Sequence, residues 1–113
     1  MPRIKEIMKK MVLIKYEYNI KEETEAEYRK FSNDIAIPFW REAEGFKEMR
    51  AYVDPASRKV LVLIDYRDYE SLGKLMDSEK YKEIITQFAS YTKNVKWGLM
   101  DVSPTALEPI KPL

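Results

Sequence analysis

An almost unbroken apolar run fills residues 59–66, KVLVLIDY. Alternate residues of a strand face opposite sides of a sheet, so a run that is apolar at successive positions predicts a central strand covered on both faces. The preceding Asp54-Pro-Ala-Ser57 is typical of a tight turn, because proline fixes φ at the second position and aspartate bonds back to the backbone. Residues 47–54 and 59–66 therefore form a predicted β-hairpin.

Two further strands are predicted at the ends of the domain. Residues 11–19 carry apolar and aromatic side chains at every second position, and residues 95–102 alternate in the same way. Between the first strand and the hairpin, Thr24-Glu-Ala-Glu27 has the form of a capping box that begins a helix. Pro38 lies inside this helical pattern, and it predicts a kink near Asp34.

A second helical region follows the hairpin. Asp68 is placed to cap a short helix, and Ser78 is placed to cap a longer one. The element order is then β-α-β-β-α-β, which predicts a ferredoxin-like α+β fold with an antiparallel four-stranded sheet and helices on one face. Leu61 and Leu63 alternate with other apolar residues, so the second face is apolar as well. An exposed apolar sheet face indicates an interface, and we expect two copies to close their sheets over one another.

The 113 residues suffice for one domain, which we place at residues 11–102. Residues 1–10 are predicted to be an N-terminal extension with an accessory role. Residues 103–113 contain three prolines and no periodicity, and are predicted to be an extended or disordered arm. No apolar run approaches the roughly 20 residues of a membrane span, so we expect a cytoplasmic protein without membrane contact.

The composition excludes several kinds of chemistry. The chain has no histidine and no cysteine, which rules out histidine bases, Cys/His zinc sites, thiol nucleophiles and histidine-ligated haem. We therefore expect no metal and no cofactor. The 20 basic and 19 acidic residues are interleaved, and residues 59–64 lack the aromatic side chains on which an RNA-binding βαββαβ module stacks bases. No nucleic-acid partner is expected.

Three segments resemble the dimeric α+β barrels, and among them the antibiotic biosynthesis monooxygenase-like family: Glu44-Gly-Phe46, Asp65-Tyr-Arg-Asp-Tyr-Glu-Ser-Leu72 and Met76-Asp-Ser-Glu-Lys-Tyr81. In that family a Gly-Phe step opens the second strand and an aromatic residue closes the third. The resemblance implies a homodimer, or a higher oligomer of dimers, with a hydrophobic pocket in each subunit for a small hydrophobic molecule. Some members are cofactor-independent oxygenases of polycyclic aromatic substrates, and others degrade haem.

The haem-degrading branch does not fit these residues. Its iron-ligating histidine falls on Ile85, its tryptophan falls on Tyr66, and its asparagine falls on Lys15 or Glu17. The resemblance then implies a cofactor-independent monooxygenase of aromatic or quinol-type substrates. The alternative is a non-catalytic barrel that binds a small ligand or is associated with stress.

Oxygenation without a cofactor needs apolar walls, a few hydrogen-bond donors and one group that takes a proton. Tyr66 is a candidate for orienting a phenol, and Glu17 is a candidate base if it is desolvated. The other interpretations are a core tyrosine and an ion pair of Glu17 with Arg50 or a lysine. Arg50 is a candidate for stabilising an anionic substrate, or else lies exposed at the rim. The expected pocket residues are Trp40, Arg50, Tyr81, Ile85 and Phe88.

Overall fold

The computed structural model describes residues 11–101, in which four strands form one antiparallel sheet. The predicted extension 1–10 and arm 103–113 lie outside the described residues, as does residue 102. The strand order is β2-β3-β1-β4. The strands are β1 (Val12–Ile20), β2 (Phe46–Val53), β3 (Lys59–Tyr66) and β4 (Thr92–Asp101). The fourth strand begins three residues before its predicted start.

The helical regions lie in the two predicted places, before and after the hairpin. A 3-10 turn (Glu22–Thr24) leads into α1 (Glu25–Phe31), a π-helical turn (Ser32–Ala36) and α2 (Ile37–Glu42). The second region consists of α3 (Tyr69–Met76) and α4 (Glu79–Tyr91). The helices cover one face of the sheet, and the predicted ferredoxin-like α+β fold is confirmed.

The irregularity predicted near Asp34 takes the form of the π-helical turn. Pro38 has no backbone N–H to donate to the carbonyl of Asp34, so a regular α-helix cannot continue through this point. The backbone N–H of Ile37 instead donates to the carbonyl of Ser32, five residues earlier. The wider turn keeps α1 and α2 continuous and changes the direction in which the following side chains face.

The predicted capping box at Thr24 is wrong. The Thr24 hydroxyl caps no N–H of α1 and donates to the carbonyls of Lys21 and Tyr91, at 3.2 and 3.3 Å. The 3-10 turn already supplies carbonyl acceptors to the first N–H groups, because Glu25 donates to Glu22. Thr24 therefore ties the start of the helical region to the end of α4.

The caps predicted for the second helical region are confirmed. The Asp68 carboxylate accepts from the Ser71 N–H at 2.8 Å, and the Ser78 hydroxyl accepts from the Tyr81 N–H at 3.1 Å. The hydrogen bond from Ser71 holds the pKa of Asp68 below its usual value. Both helices begin where these side chains satisfy free N–H groups.

The core lies between the sheet and the helices. Strand alternation gives β1 and β3 one buried face, and their register places Ile14 opposite Ile64. The fully or largely buried strand residues are Val12, Ile14, Tyr16, Tyr18, Val60, Ile64 and Tyr66. The opposite face, called here the open face, carries Leu13, Leu61 and Leu63 together with charged residues.

Candidate functional site

A cavity of about 120 Å³ lies between the sheet and the first helical region and α4. Its walls are almost entirely apolar or aromatic. The strand residues that line it are Tyr16, Tyr18, Met49, Ala51, Val60, Val62 and Ile64. The helical residues that line it are Tyr28, Phe31, Ser32, Ala36, Ile37, Trp40, Ile84, Ile85 and Phe88.

Local structure explains why the core is incomplete here. The π-helical turn begins and ends with small residues, Ser32 and Ala36, and both line the cavity. The sheet below presents another small residue, Ala51, which is exposed although it lines the cavity. Small side chains on both sides of a layer otherwise filled by large ones leave space, and the exposure of Ala51 indicates that this space opens beside β2.

Two hydrogen-bonded tyrosine pairs involve the cavity wall: both members of one pair line the cavity, and in the other pair only Tyr16 does. The Tyr16 and Tyr81 hydroxyls are 2.7 Å apart, and the Tyr18 hydroxyl is hydrogen-bonded to that of Tyr28. The Phe88 ring packs against both strand tyrosines, with centroid distances of 5.9 Å to Tyr16 and 4.7 Å to Tyr18. Two hydroxyls carry two protons and the bond between them uses one, so each pair has a second O–H. The Tyr28 hydroxyl also has the Ser32 side chain, another residue of the cavity wall, as a hydrogen-bond partner.

Burial sets the protonation state of these tyrosines. Desolvation raises the pKa values of Tyr16, Tyr18, Tyr28 and Tyr81 above the ordinary value, because the phenolate is poorly solvated among apolar side chains. All four are therefore neutral at physiological pH. They are suited to donate hydrogen bonds to a bound oxygen atom and unsuited to act as bases.

Tyr66 lies behind the cavity wall. Its side chain is fully buried, and its hydroxyl donates to the Trp40 carbonyl at 2.6 Å. Burial raises its pKa, so it too is neutral. Tyr66 packs edge-on against the Trp40 ring at a centroid distance of 6.3 Å. The structure therefore places Tyr66 as a core residue that supports Trp40, and its proton is already engaged.

Glu17 and Arg50 lie on the open face, and the structure does not place them with the other candidates. Residues on either side of Glu17 face the cavity, so strand alternation turns Glu17 away from it. Its carboxylate lies 3.8 Å from the Lys59 ammonium, which is the ion pair with a lysine. Arg50 lies between two cavity residues of β2 and pairs with Asp65 at 3.5 Å. Arg50 therefore does not line the pocket, and its expected placement there is wrong.

The structure brings three of the predicted pocket residues together. Trp40, Ile85 and Phe88 all line the cavity. Tyr81 does not line the cavity. Its hydroxyl is hydrogen-bonded to that of Tyr16, and its ring packs against the Trp40 ring at a centroid distance of 5.9 Å.

Sequence reasoning missed the strand tyrosines and their helical partner. A signal for them was present: Tyr16 and Tyr18 share the apolar face of β1, and a buried tyrosine hydroxyl usually has a hydrogen-bond partner. Two such residues on one buried face indicate polar groups inside the domain. Tyr28, which bonds to Tyr18, lies on the helical stripe that faces the sheet.

Within residues 11–101, no three His, Cys, Asp or Glu side chains are grouped closely enough to hold a metal ion. No helix in this described part of the chain is long and apolar enough to cross a membrane.

The fold and the cavity together define the class of protein to which this chain belongs. It is an α+β protein with helices on one face of a four-stranded sheet and an apolar cavity between the two layers. SnoaB, a cofactor-independent oxygenase from Streptomyces nogalater, shares this fold at 12% identity, with a TM-score of 0.72 over 86% of this chain and 97% of SnoaB. A conserved protein from Methanosarcina mazei is 15% identical, with a TM-score of 0.71 over 85% of this chain and 96% of its own.

A Caulobacter crescentus protein named as a candidate antibiotic biosynthesis monooxygenase is 13% identical, with a TM-score of 0.72 over 86% of this chain and 93% of its own. The chain thus has the fold of the antibiotic biosynthesis monooxygenase-like α+β barrel proteins, and the resemblance seen in the sequence is confirmed at the level of the fold. No protein-family model matches the sequence, and no curated protein matches it.

Proposed function

We propose that this chain is a cofactor-independent monooxygenase that binds an aromatic or quinol-type substrate in the cavity. The observation that carries the proposal is an apolar, aromatic-walled cavity with tyrosine hydroxyl pairs beside it. The fold shared with SnoaB, a cofactor-independent oxygenase, supports it. In the overall reaction a substrate loses two hydrogens and gains one oxygen atom from O₂, and the second oxygen atom leaves as water.

The cavity residues have distinct parts in this proposal. The rings of Trp40 and Phe88 hold a planar substrate and exclude water. The second O–H of the Tyr18–Tyr28 pair donates to the substrate oxygen and stabilises the anion that reacts with O₂, as donors do where negative charge develops. The substrate proton leaves to solvent through the opening beside Ala51. Tyr66 acts indirectly, by positioning Trp40.

One observation favours a second candidate, a non-catalytic barrel that binds the same kind of ligand. The only ionisable side chains that line the cavity in the described part of the chain are tyrosines, and burial raises their pKa values. Glu17, the carboxylate predicted as a base, faces the opposite side of the sheet. Without a base at the cavity, the protein would bind a phenol and leave it unchanged.

Oxygen uptake with 1,4-hydroquinone separates the two candidates. The wild-type protein is expected to consume oxygen faster than buffer alone, and Tyr28→Phe is expected to lower this rate by roughly a hundredfold, the typical loss when one anion-stabilising donor is removed. Tyr52→Phe is the matched control, because Tyr52 is half exposed on β2 and its side chain faces away from the cavity. Binding of hydroquinone without any oxygen uptake would favour the non-catalytic candidate.

We also propose that two copies pack through the open face, in the cytoplasm. Leu61 and Leu63 of β3 and Leu13 of β1 lie on this face, where Glu17 and Lys15 are opposite the two β3 leucines. Met100 lies opposite Leu13 and is 53% exposed. Apolar side chains of this kind gain by burial against a second copy. Light scattering is expected to give twice the chain mass, and Leu61→Lys is expected to give a monomer. A stable wild-type monomer at micromolar concentration would refute the dimer.

A further inference from the structure

We infer that the cavity selects substrates with a single aromatic ring, a phenol or a hydroquinone, and rejects fused-ring substrates. The inference rests on the proposed function, since it concerns the ligand of the same cavity. Its first support is size. The cavity volume is about 120 Å³, and an apolar cavity of about 150 Å³ in another protein holds one benzene molecule. One ring fits within such a space, and a second fused ring would have to extend into solvent through the opening beside Ala51, where it gains little burial.

The second support is that ring packing and hydrogen bonds hold the cavity walls in place. The Tyr16 ring packs edge-on against Trp40 at 6.0 Å and against Phe88 at 5.9 Å, and its hydroxyl is bonded to Tyr81. The Trp40 ring is in turn backed by Tyr66. The cavity cannot expand on this side without breaking these contacts, and close-packed interiors yield little to such expansion.

The third support concerns the substituent on the ring. The Tyr18–Tyr28 pair lines the cavity and carries one O–H beyond the bond that joins its members. A ring oxygen that accepts this proton is held by a directed bond, while the ring itself contacts apolar side chains. The cavity therefore matches a ring with at least one hydroxyl group rather than a plain hydrocarbon.

Binding of phenol and 1-naphthol, measured anaerobically by calorimetry, tests the inference. Larger apolar area favours 1-naphthol in an unrestricted site. The inference predicts the reverse order, with phenol bound at least about tenfold more tightly, because discrimination by size in a rigid pocket has this magnitude. Ile85→Ala or Val62→Ala, each of which enlarges the cavity, is expected to raise the affinity for 1-naphthol at least about tenfold.

Ile35→Ala is the matched control, because Ile35 does not line the cavity and lies instead in a separate groove between the first and second helical regions. This variant is expected to keep the wild-type order of affinities. Equal or tighter binding of 1-naphthol by the wild type would overturn the inference, and so would an absence of phenol binding. The proposed oxygenase activity is tested by a different result. Tighter binding of phenol than of 1-naphthol, without oxygen uptake in the presence of 1,4-hydroquinone, would refute the oxygenase activity and support the size selection.

Discussion

Filling the cavity should stabilise the protein and abolish its binding of phenol. Ala36 lines the cavity at the end of the π-helical turn. Ala36→Leu adds three carbon atoms, each worth about 0.8 kcal/mol when buried, and ordering the longer side chain costs about 0.5–1 kcal/mol. The free energy of unfolding should therefore rise by about 1–2 kcal/mol.

Thermal unfolding followed by circular dichroism, together with a phenol titration, measures both effects. The melting temperature of Ala36→Leu should rise by roughly 5–10 °C, and phenol binding should be lost. Ala89→Leu makes the same change on the exposed side of α4 and should leave phenol binding intact. A lower melting temperature with undiminished phenol binding would show that the ligand does not occupy this space and would refute the reasoning.

Three further predictions follow from named contacts. Gly45→Ala should lower the free energy of unfolding by about 2–4 kcal/mol, because Gly45 has φ +88° and a Cβ there would lie 2.6 Å from the Ser71 Cβ. Urea unfolding measures this change, and an unchanged midpoint would contradict the prediction. Glu17→Gln should leave oxygen uptake unchanged, since the carboxylate faces away from the cavity; a tenfold loss would restore its catalytic role. Burial raises the pKa values of Tyr16 and Tyr18 above 10.0, so the stability that they contribute is complete below pH 10.0 and is lost as pH rises beyond it. The part of the tyrosinate absorbance that Tyr16→Phe and Tyr18→Phe remove belongs to these two residues, and its appearance in the wild type without loss of circular dichroism would contradict this.

The fold was largely predictable because its signals are local. The apolar run in residues 59–66 predicted the bounds of β3, and the side chains of Asp68 and Ser78 predicted the starts of two helices. The capping box at Thr24 failed because its hydroxyl bonds to the carbonyls of Lys21 and Tyr91, and Tyr91 is 67 residues away. No local pattern carries information about such a partner.

The site was predictable only in part, for a related reason. Ile85 and Phe88 were predicted as pocket residues because the face of α4 that packs on the sheet also forms one wall of the cavity. Tyr16 was missed because its partner, Tyr81, is 65 residues away along the chain. Glu17 was chosen for its chemistry, although its position between two residues of the buried face of β1 already turns it outward.

The central claim is that the space between sheet and helices is the ligand site. Nuclear Overhauser contacts between bound phenol and the methyl groups of the protein test it most directly. Bound phenol is expected to show contacts to Ile85 on α4 and to Val62 on β3, which line the cavity from its helical and sheet sides. Contacts confined to Leu61 and Leu63, on the open face of the sheet, would contradict it.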